Sequence, residues 1–582
     1  MPSSNPIPSL PGKDPVPDLL KRIQFLRDHN QVIRTQVLIV GSGPIGAVFA
    51  KTLVDAGLNV LMVDMGEQAS KLIGDHRKNS AVVQKDISLF TNVIRGELSP
   101  LSVPVKTADI QLAPISFQDG AGEYVLNGQN PDQIASVNLT SSAATRTVGG
   151  MSSHWTCCTP RQHPLERSDL FTDERWDELY TKVEQLFDTN STTFDNSVRH
   201  RLVGKVLEEA FQTEREVRSM PLACKRPSDN SSYIRWSSTA SILGEYADLS
   251  TNTAGRFDML SQNQCDVLSI NRDSYKVEAA IIRDLVSNKD YVVDADRYVI
   301  CGGSVLTAGI MAKSLFQSNI SIDTSFPALG RYLTEQHMTF CQIALKQSLV
   351  ERVSRDPGWL DTPNDSTIRD AVEDHQKRHP DDPLPFPFDD LDPNIYTPFS
   401  EAYPWHTQIH RDAFGYGEIP AGLDQRLVVD LRFFGITKPR SDNYVTFSMK
   451  RKDGFGMPQP TFNFSLSRED REQDHKMMQD MEKVAAHLGG FVPGSEPQNL
   501  ASGLALHVCG TFRAGKKHDS ETLDEVKETS VVDCYGRVWG SENLYLGGCG
   551  VIRTGNASNP TLTAAAHALA GAEQIVSELP SA

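Results

Sequence analysis

Thr35-Gln36-Val37-Leu38-Ile39-Val40-Gly41-Ser42-Gly43-Pro44-Ile45-Gly46 decides the fold of this chain. An apolar run suited to a buried strand ends in a glycine turn, and from Gly46 to Ala56 the apolar spacing becomes helical. Asn59-Val60-Leu61-Met62-Val63-Asp64-Met65-Gly66 follows as a second apolar strand. Strand, turn, helix and strand make a βαβ unit, which commits the chain to a parallel sheet. Each glycine has its own duty. Gly41 permits the tight turn, Gly43 lets the backbone approach a pyrophosphate, and Gly46 allows close helix–strand packing. The helix N-terminus turns free N–H groups and its positive dipole end toward the phosphates. Asp64, 18 residues beyond Gly46, is placed to accept hydrogen bonds from ribose hydroxyls. A glycine-rich turn can serve packing alone, but the full context reads as an adenine dinucleotide site. The motif does not choose between NAD and FAD; its early position in a long chain favours FAD.

Outward from this unit, the 582 residues suffice for at least two domains. With 39% hydrophobic and 23% charged residues, the composition is that of a globular protein with a sizeable core. A net charge of −17 argues against a nucleic-acid partner, which needs excess Lys and Arg. No apolar run approaches the ~20 residues of a spanning helix, so no membrane partner is expected. The polar, proline-rich start lacks a basic and then apolar leader, so the expected location is cytoplasmic or non-conventionally exported. Nine scattered cysteines show no CxxC pair and no Cys/His metal spacing, so no metal is expected.

The spacing predicts a lead with one helix in 1–34 (Asp18 to His29) and dinucleotide-type segments at 35–165, 255–335 and 501–582. The intervening 166–254 and 336–500 form a second domain threaded through the first. Within these, 70–110 reads as an arm toward another subunit or a plain surface excursion. The Pro- and Asp-rich 350–405 reads as loop or irregular insertion, 468–488 as a helix, and 543–582 as strand, glycine turn and helix. The fold class is α/β: a discontinuous Rossmann-like FAD-binding domain with an α+β substrate domain built on a large β-sheet with helices.

Four further runs carry chemistry. Thr147-Val148-Gly149-Gly150-Met151-Ser152-Ser153-His154-Trp155-Thr156 has two glycines that let backbone pass a flat ring system, then a His–Trp pair. On residue type alone, His154 is an ordinary core or surface histidine. Leu504-Ala505-Leu506-His507-Val508-Cys509-Gly510-Thr511 reads as a strand entering a turn, and Asn556-Ala557-Ser558-Asn559-Pro560-Thr561-Leu562-Thr563 precedes a long apolar helix. Oxidising an alcohol with a flavin needs a base, for which a neutral imidazole serves, and a donor for the developing oxyanion, for which Asn serves. Asn559-Pro560 also reads as a helix start, with Asn as cap and Pro in the first turn. Finally, Trp405-His406-Thr407-Gln408-Ile409-His410-Arg411-Asp412-Ala413-Phe414-Gly415-Tyr416-Gly417 mixes aromatics with polar groups, as sugars want, or is an ordinary surface loop.

GGMSSHWTCCTP resembles the flavin-attachment segment of the pyranose 2-oxidases, a branch of the glucose–methanol–choline (GMC) oxidoreductases, and the resemblance runs in ordered segments from about residue 35 onward. It implies FAD bound covalently through His154, with Thr156 near flavin N5. It implies His507 as base and Asn559 as its partner, where many relatives in the wider family use a second His. Cys265 and Val267 would lie near adenine, Gly548 under the isoalloxazine and Thr561 beside it. Gln408, Asp412, Phe414, Tyr416 and Arg432 would face the sugar. The activity implied is oxidation of a pyranose such as glucose at C2, with O2 or a quinone as acceptor, by a homotetramer. Phe512 and Ala505 depart from the family pattern, which puts the sugar preference in doubt. Alternatives are a glycoside 3-oxidase, a non-sugar alcohol oxidase, a non-catalytic flavoprotein scaffold and an NAD-dependent enzyme.

Overall fold

The computed structural model describes residues 16–104, 129–227, 232–250, 255–362, 366–411 and 419–581. The strand Val32–Val40 lies in a seven-stranded sheet, parallel to Val60–Val63 on one side and to Lys289–Ile300 on the other. Phe257–Leu260 extends the parallel order beyond Val60–Val63. The strand Lys289–Ile300 serves two partners along its length. Its first half pairs antiparallel with Val277–Asp284, which in turn pairs with Asn263–Ile270. Its last three residues pair in parallel with Leu544–Leu546. The parallel strands are buried along Val37–Val40 and Val60–Val63, which is why they read as unbroken apolar runs. The helix Pro44–Asp55 packs against the final helix Thr561–Glu578, where a Cβ on Gly571 would lie 3.1 Å from the Phe49 ring. The N-terminal helix Val16–Asp28 lays Leu19, Ile23 and Leu26 over Val267, Ala279, Ile281 and Val292. Beside them Asp266 takes an ion pair from Arg22 and another from Lys313, both at 2.7 Å.

A second seven-stranded sheet, antiparallel throughout, runs in the order Gly489–Phe491, Met338–Leu345, Val428–Gly435, Trp405–His410, Asn394–Tyr396 and Arg218–Ser219, with Gln498–Asn499 pairing off Met338–Leu345. One face carries Cys341, Ile343, Trp405, Ile409, Leu431 and Phe433 into a core shared with the helices Val198–Phe211 and Arg468–Leu488. The long helix is opened by Ser467 and Asp470 in a reciprocal capping box. Because strand side chains alternate, Met338, Gln408, Arg432 and Phe434 face the other way, toward the first domain.

Three expectations need correcting. The segment 350–405 holds the helices Gln347–Arg355 and Thr367–Arg378, whose Val350, Val353, Ile368 and Val372 enter the second core; only its Pro- and Asp-rich centre is irregular. Leu504–Val508 is a turn rather than a strand, with Leu506 at φ +59°. Helix Thr561–Glu578 begins after Pro560, and no side chain caps it, so Asn559 is not its cap. Within 70–104 the chain forms the helices Ala81–Lys85 and Ile87–Glu97; residues 105–110 lie outside the described residues.

Candidate active site

The glycine turn meets its steric demands one residue at a time. Gly41 sits at φ +102°, and a Cβ there would lie 2.4 Å from Cys301 O. A Cβ on Gly46 would lie 2.0 Å from Gly41 O, so the helix can approach the strand only with glycine there. A Cβ on Gly43 would meet nothing within 4 Å. That open space belongs to a cleft whose walls include Gly41, Gly43, Asp64, Gly150, Cys265 and Gly548. Asp64 accepts from Ser42 N at 2.8 Å and Ser42 Oγ at 2.7 Å on one oxygen, and from Gly66 N at 2.7 Å on the other. A carboxylate has about four acceptor positions, so one remains for a ligand hydroxyl. Burial raises its pKa, partly offset by these bonds.

The cradle fits a flavin dinucleotide. Gly303 and Gly43 leave space where a Cβ would stand, and Gly548 has only Phe512 Cζ, at 3.8 Å, near its missing Cβ. The other expected cofactor residues divide. Gly150 and Thr561 line the cleft. Gly149, at φ +95°, packs instead on Gly74, with its N–H donated to Ser42 Oγ at 2.9 Å. Val267 packs under the N-terminal helix, so its side chain is not part of the cleft.

A second cavity shares Pro44, Met151, Leu506, His507 and Thr561 with this cleft. Around it stand His154, Thr156, Gln408, Arg432, His507 and Asn559, drawn from five separate stretches of sequence. Gln408 and Arg432 are cross-strand neighbours in the second sheet. Asn559 Nδ2 lies 3.3 Å from His507 Nε2, and Gln408 Nε2 donates to Asn559 Oδ1 at 2.7 Å. Burial pushes His507 down to about 4, so its imidazole is neutral at pH 7. Glu335 accepts from His507 N at 3.0 Å and from Gln336 N at 2.8 Å, and burial pushes its carboxyl up to about 8. His507 therefore has no carboxylate charge from this neighbour at pH 7. His154 is also buried and pushed down to about 4, with Thr145 Oγ1 2.9 Å from its Nε2.

The loop bearing Asn559 is clamped from two sides. Glu166 accepts from Ala557 N at 2.6 Å, and Gln336 Nε2 donates to Asn556 O and Ser558 O at 2.9 Å each. Gln336, Glu335 and Glu166 escape sequence reasoning because each stands in a polar stretch without a motif, and their roles arise only from packing; His406 lies within the 405–417 run but carries no assignment there. Of the two departures from the family pattern, Ala505 lines the second cavity, whereas Phe512 lies beneath the Gly548–Gly550 turn, outside that cavity's walls. Asp412, Phe414 and Tyr416 lie outside the described residues. Among the described residues no cluster of His, Cys, Asp or Glu is placed to hold a metal ion, and no helix is long and apolar enough to cross a membrane.

Comparison with known proteins agrees with this geometry. The family model described as GMC oxidoreductase matches residues 439–568, and that described as FAD binding domain matches residues 34–82. A pyranose 2-oxidase of Emericella nidulans is 45% identical over 94% of this chain and 92% of its own. A C-glycoside 3-oxidase of Arthrobacter globiformis is 27% identical over 94% and 96%. The solved formate oxidase of Aspergillus oryzae shares the fold at a TM-score of 0.61 and 13% identity, covering 94% of this chain and 99% of that one. The chain belongs to the pyranose 2-oxidase family of the GMC oxidoreductases, and it is an FAD-dependent oxidoreductase.

Proposed function

We propose that the chain oxidises an aldopyranose such as D-glucose at its C2 hydroxyl, with His507 as base, Asn559 as oxyanion donor and FAD tethered through His154. The observation that carries this reading is the meeting of His507 Nε2 and Asn559 Nδ2 at 3.3 Å, with His507 on the wall shared by the cofactor cleft and the second cavity and Asn559 on the second cavity. Gly41, Gly43, Gly150, Asp64, Cys265, Gly548 and Thr561 would hold the cofactor. Bound FAD supplies the hydride acceptor and passes the two electrons on to O2, giving hydrogen peroxide, or to a quinone.

The chain's own residues do the rest. His507 takes the hydroxyl proton on Nε2 as the C2 hydride departs. Asn559 Nδ2 donates to the same oxygen as charge develops there. Gln408 and Arg432 hold neighbouring sugar hydroxyls from paired strands, and Asp412, Phe414 and Tyr416 are assigned to the sugar by resemblance. Neutral His154 would have a lone pair available to hold the flavin, and by the resemblance Thr156 would lie near N5. The assembly we propose is a homotetramer with the 70–110 segment in its contacts; sedimentation velocity giving a monomer would reject it.

The test has three parts: acid precipitation of the purified protein, anaerobic bleaching by glucose, and NMR of the product. Yellow colour kept in the pellet, and lost from it in His154→Ala, supports the tether; flavin freed into the supernatant rejects it. Bleaching by glucose with a 2-keto product supports the reaction. A 3-keto product would move the assignment toward the glycoside 3-oxidases.

A further inference from the structure

Gln336 reaches the site from just before the strand Met338–Leu345, and only 6% of it is exposed. Its amide has a single workable orientation. Nε2 donates to two main-chain carbonyls, Asn556 O and Ser558 O, and carbonyl oxygens can only accept. Oε1 is therefore the atom 2.7 Å from His507 Nδ1. An oxygen at that position requires a hydrogen on Nδ1. In a neutral imidazole the lone pair then sits on Nε2.

The opposite side of the ring follows from this tautomer. With the lone pair on His507 Nε2, Asn559 turns Nδ2 toward it and its Oδ1 accepts from Gln408 Nε2. Gln408 Nε2 then also donates to His406 Nε2 at 3.2 Å, and the buried, neutral His406 carries its hydrogen on Nδ1. The run from His406 through Gln408, Asn559 and His507 to Gln336 thus has one polarity throughout. We infer that Gln336 is the positioning residue that sets the tautomer of His507 and ties the base to the loop carrying Asn559. This rests on the reading of His507 as base.

An amide suits the position better than a carboxylate. A carboxylate at Nδ1 would favour the imidazolium and hold the base protonated. Glu335, the nearest carboxyl, contacts only the main-chain N of His507. The other titratable or charged groups facing this histidine are His406 beside Gln408, His154 and Arg432 across the cavity, and Cys509, whose Sγ donates to His507 O at 3.2 Å.

The experiment follows anaerobic flavin reduction by glucose from pH 4 to 9 in the holoenzyme and in Gln336→Leu, Gln336→Glu and His507→Ala, with flavin content measured for each. Gln336→Leu is expected to lower the rate by on the order of 10²–10⁴, the scale of a wrong-tautomer histidine, with glucose affinity little changed. Gln336→Glu restores an acceptor at Nδ1. Its alkaline plateau is expected within about tenfold of the parent, with the acid limb moved up by one pH unit or more. A merely structural role predicts equal damage in the two variants, because Leu and Glu both lose the bonds to the loop carbonyls. Equal damage in both variants, with an unmoved acid limb, overturns the inference. The parent holoenzyme gives an independent check: solid-state NMR of ¹⁵N-histidine, assigned by difference against His507→Ala, should show His507 protonated at Nδ1, and protonation at Nε2 overturns the inference. Full activity in His507→Ala would remove the base reading itself. An inactive His507→Ala beside unshifted Gln336 variants would remove only the role of Gln336.

Discussion

Asn559→Asp tests the contact at the centre of the site. The substitution keeps an oxygen for Gln408 Nε2 but replaces the Nδ2 donor, 3.3 Å from His507 Nε2, with a carboxylate oxygen. At that distance and an effective dielectric constant of about 20, a carboxylate and an imidazolium attract by about 5 kcal/mol, worth about 3.7 pK units. His507, held down to about 4 by burial, would then titrate between roughly pH 7 and 8. At pH 6 only about one molecule in fifty would carry a free base. Loss of the oxyanion donor lowers even the alkaline plateau, by on the order of 10²–10³. The assay is stopped-flow flavin reduction with excess glucose under argon, fitted across pH for parent, Asn559→Asp and Asn559→Ala. The alanine variant should lower the plateau and leave the acid limb in place. An Asn559→Asp limb that coincides with the parent's would mean that the two side chains do not sense one another, and the catalytic argument would fail.

The glycine turn offers a contrast. Gly46→Ala forces a Cβ to 2.0 Å from Gly41 O and should yield misfolded protein, whereas Gly43→Ala should fold, as circular dichroism can check, but retain less FAD. Asp266→Asn strips the carboxylate from Lys313, whose side chain is 7% exposed, and should lower stability by about 3–5 kcal/mol in urea titrations. Acid should destabilise the fold early. His76 and His200 are pushed down to about 3 and His567 to about 4 by burial, so below pH 6.5 the unfolded chain takes protons that the folded one refuses. Each should cost about 2 kcal/mol at pH 5, visible as a steep fall in Tm between pH 7 and 5. Glu335 acts from the other side: it ionises near 4.5 unfolded but only near 8 when folded, so its contribution is lost as pH rises between those values. Glu335→Gln should flatten the alkaline side of the Tm profile.

The parts of the molecule that could be read from sequence are those where one residue type alone satisfies a steric rule. Gly41, Gly43 and Gly46 are such positions, and the apolar runs beside them announce strands covered on both faces. The second sheet was harder to read. His406, Gln408 and Arg432 are polar yet buried, because their face of the sheet lines a cavity, so their strands give no apolar–polar alternation. From sequence Asn559 reads as helix cap as well as site residue; in the structure Pro560 holds the cap position, and the loop carrying Asn559 is clamped by Glu166 and Gln336. Gln336 lies 171 residues from the histidine it touches. Nothing local could reveal that contact.

The strand Lys289–Ile300, joined at one end to the middle of the chain and at the other to Leu544–Leu546, also sets the timing of biogenesis. The cofactor sheet draws on residues 32–63, 257–300 and 544–546, and the helix Thr561–Glu578 that packs on Pro44–Asp55 is made after all of them. At about 5–20 residues per second, the first βαβ unit waits roughly half a minute to a minute and a half for its final strand. Through that interval Val37, Ile39 and Phe49 lack their eventual cover, so the nascent chain depends on holding factors or on speed. A ribosome that stalls before Leu544 would leave a chain with no place to mount its flavin, and yellow colour in a growing culture would report only chains that carry this strand.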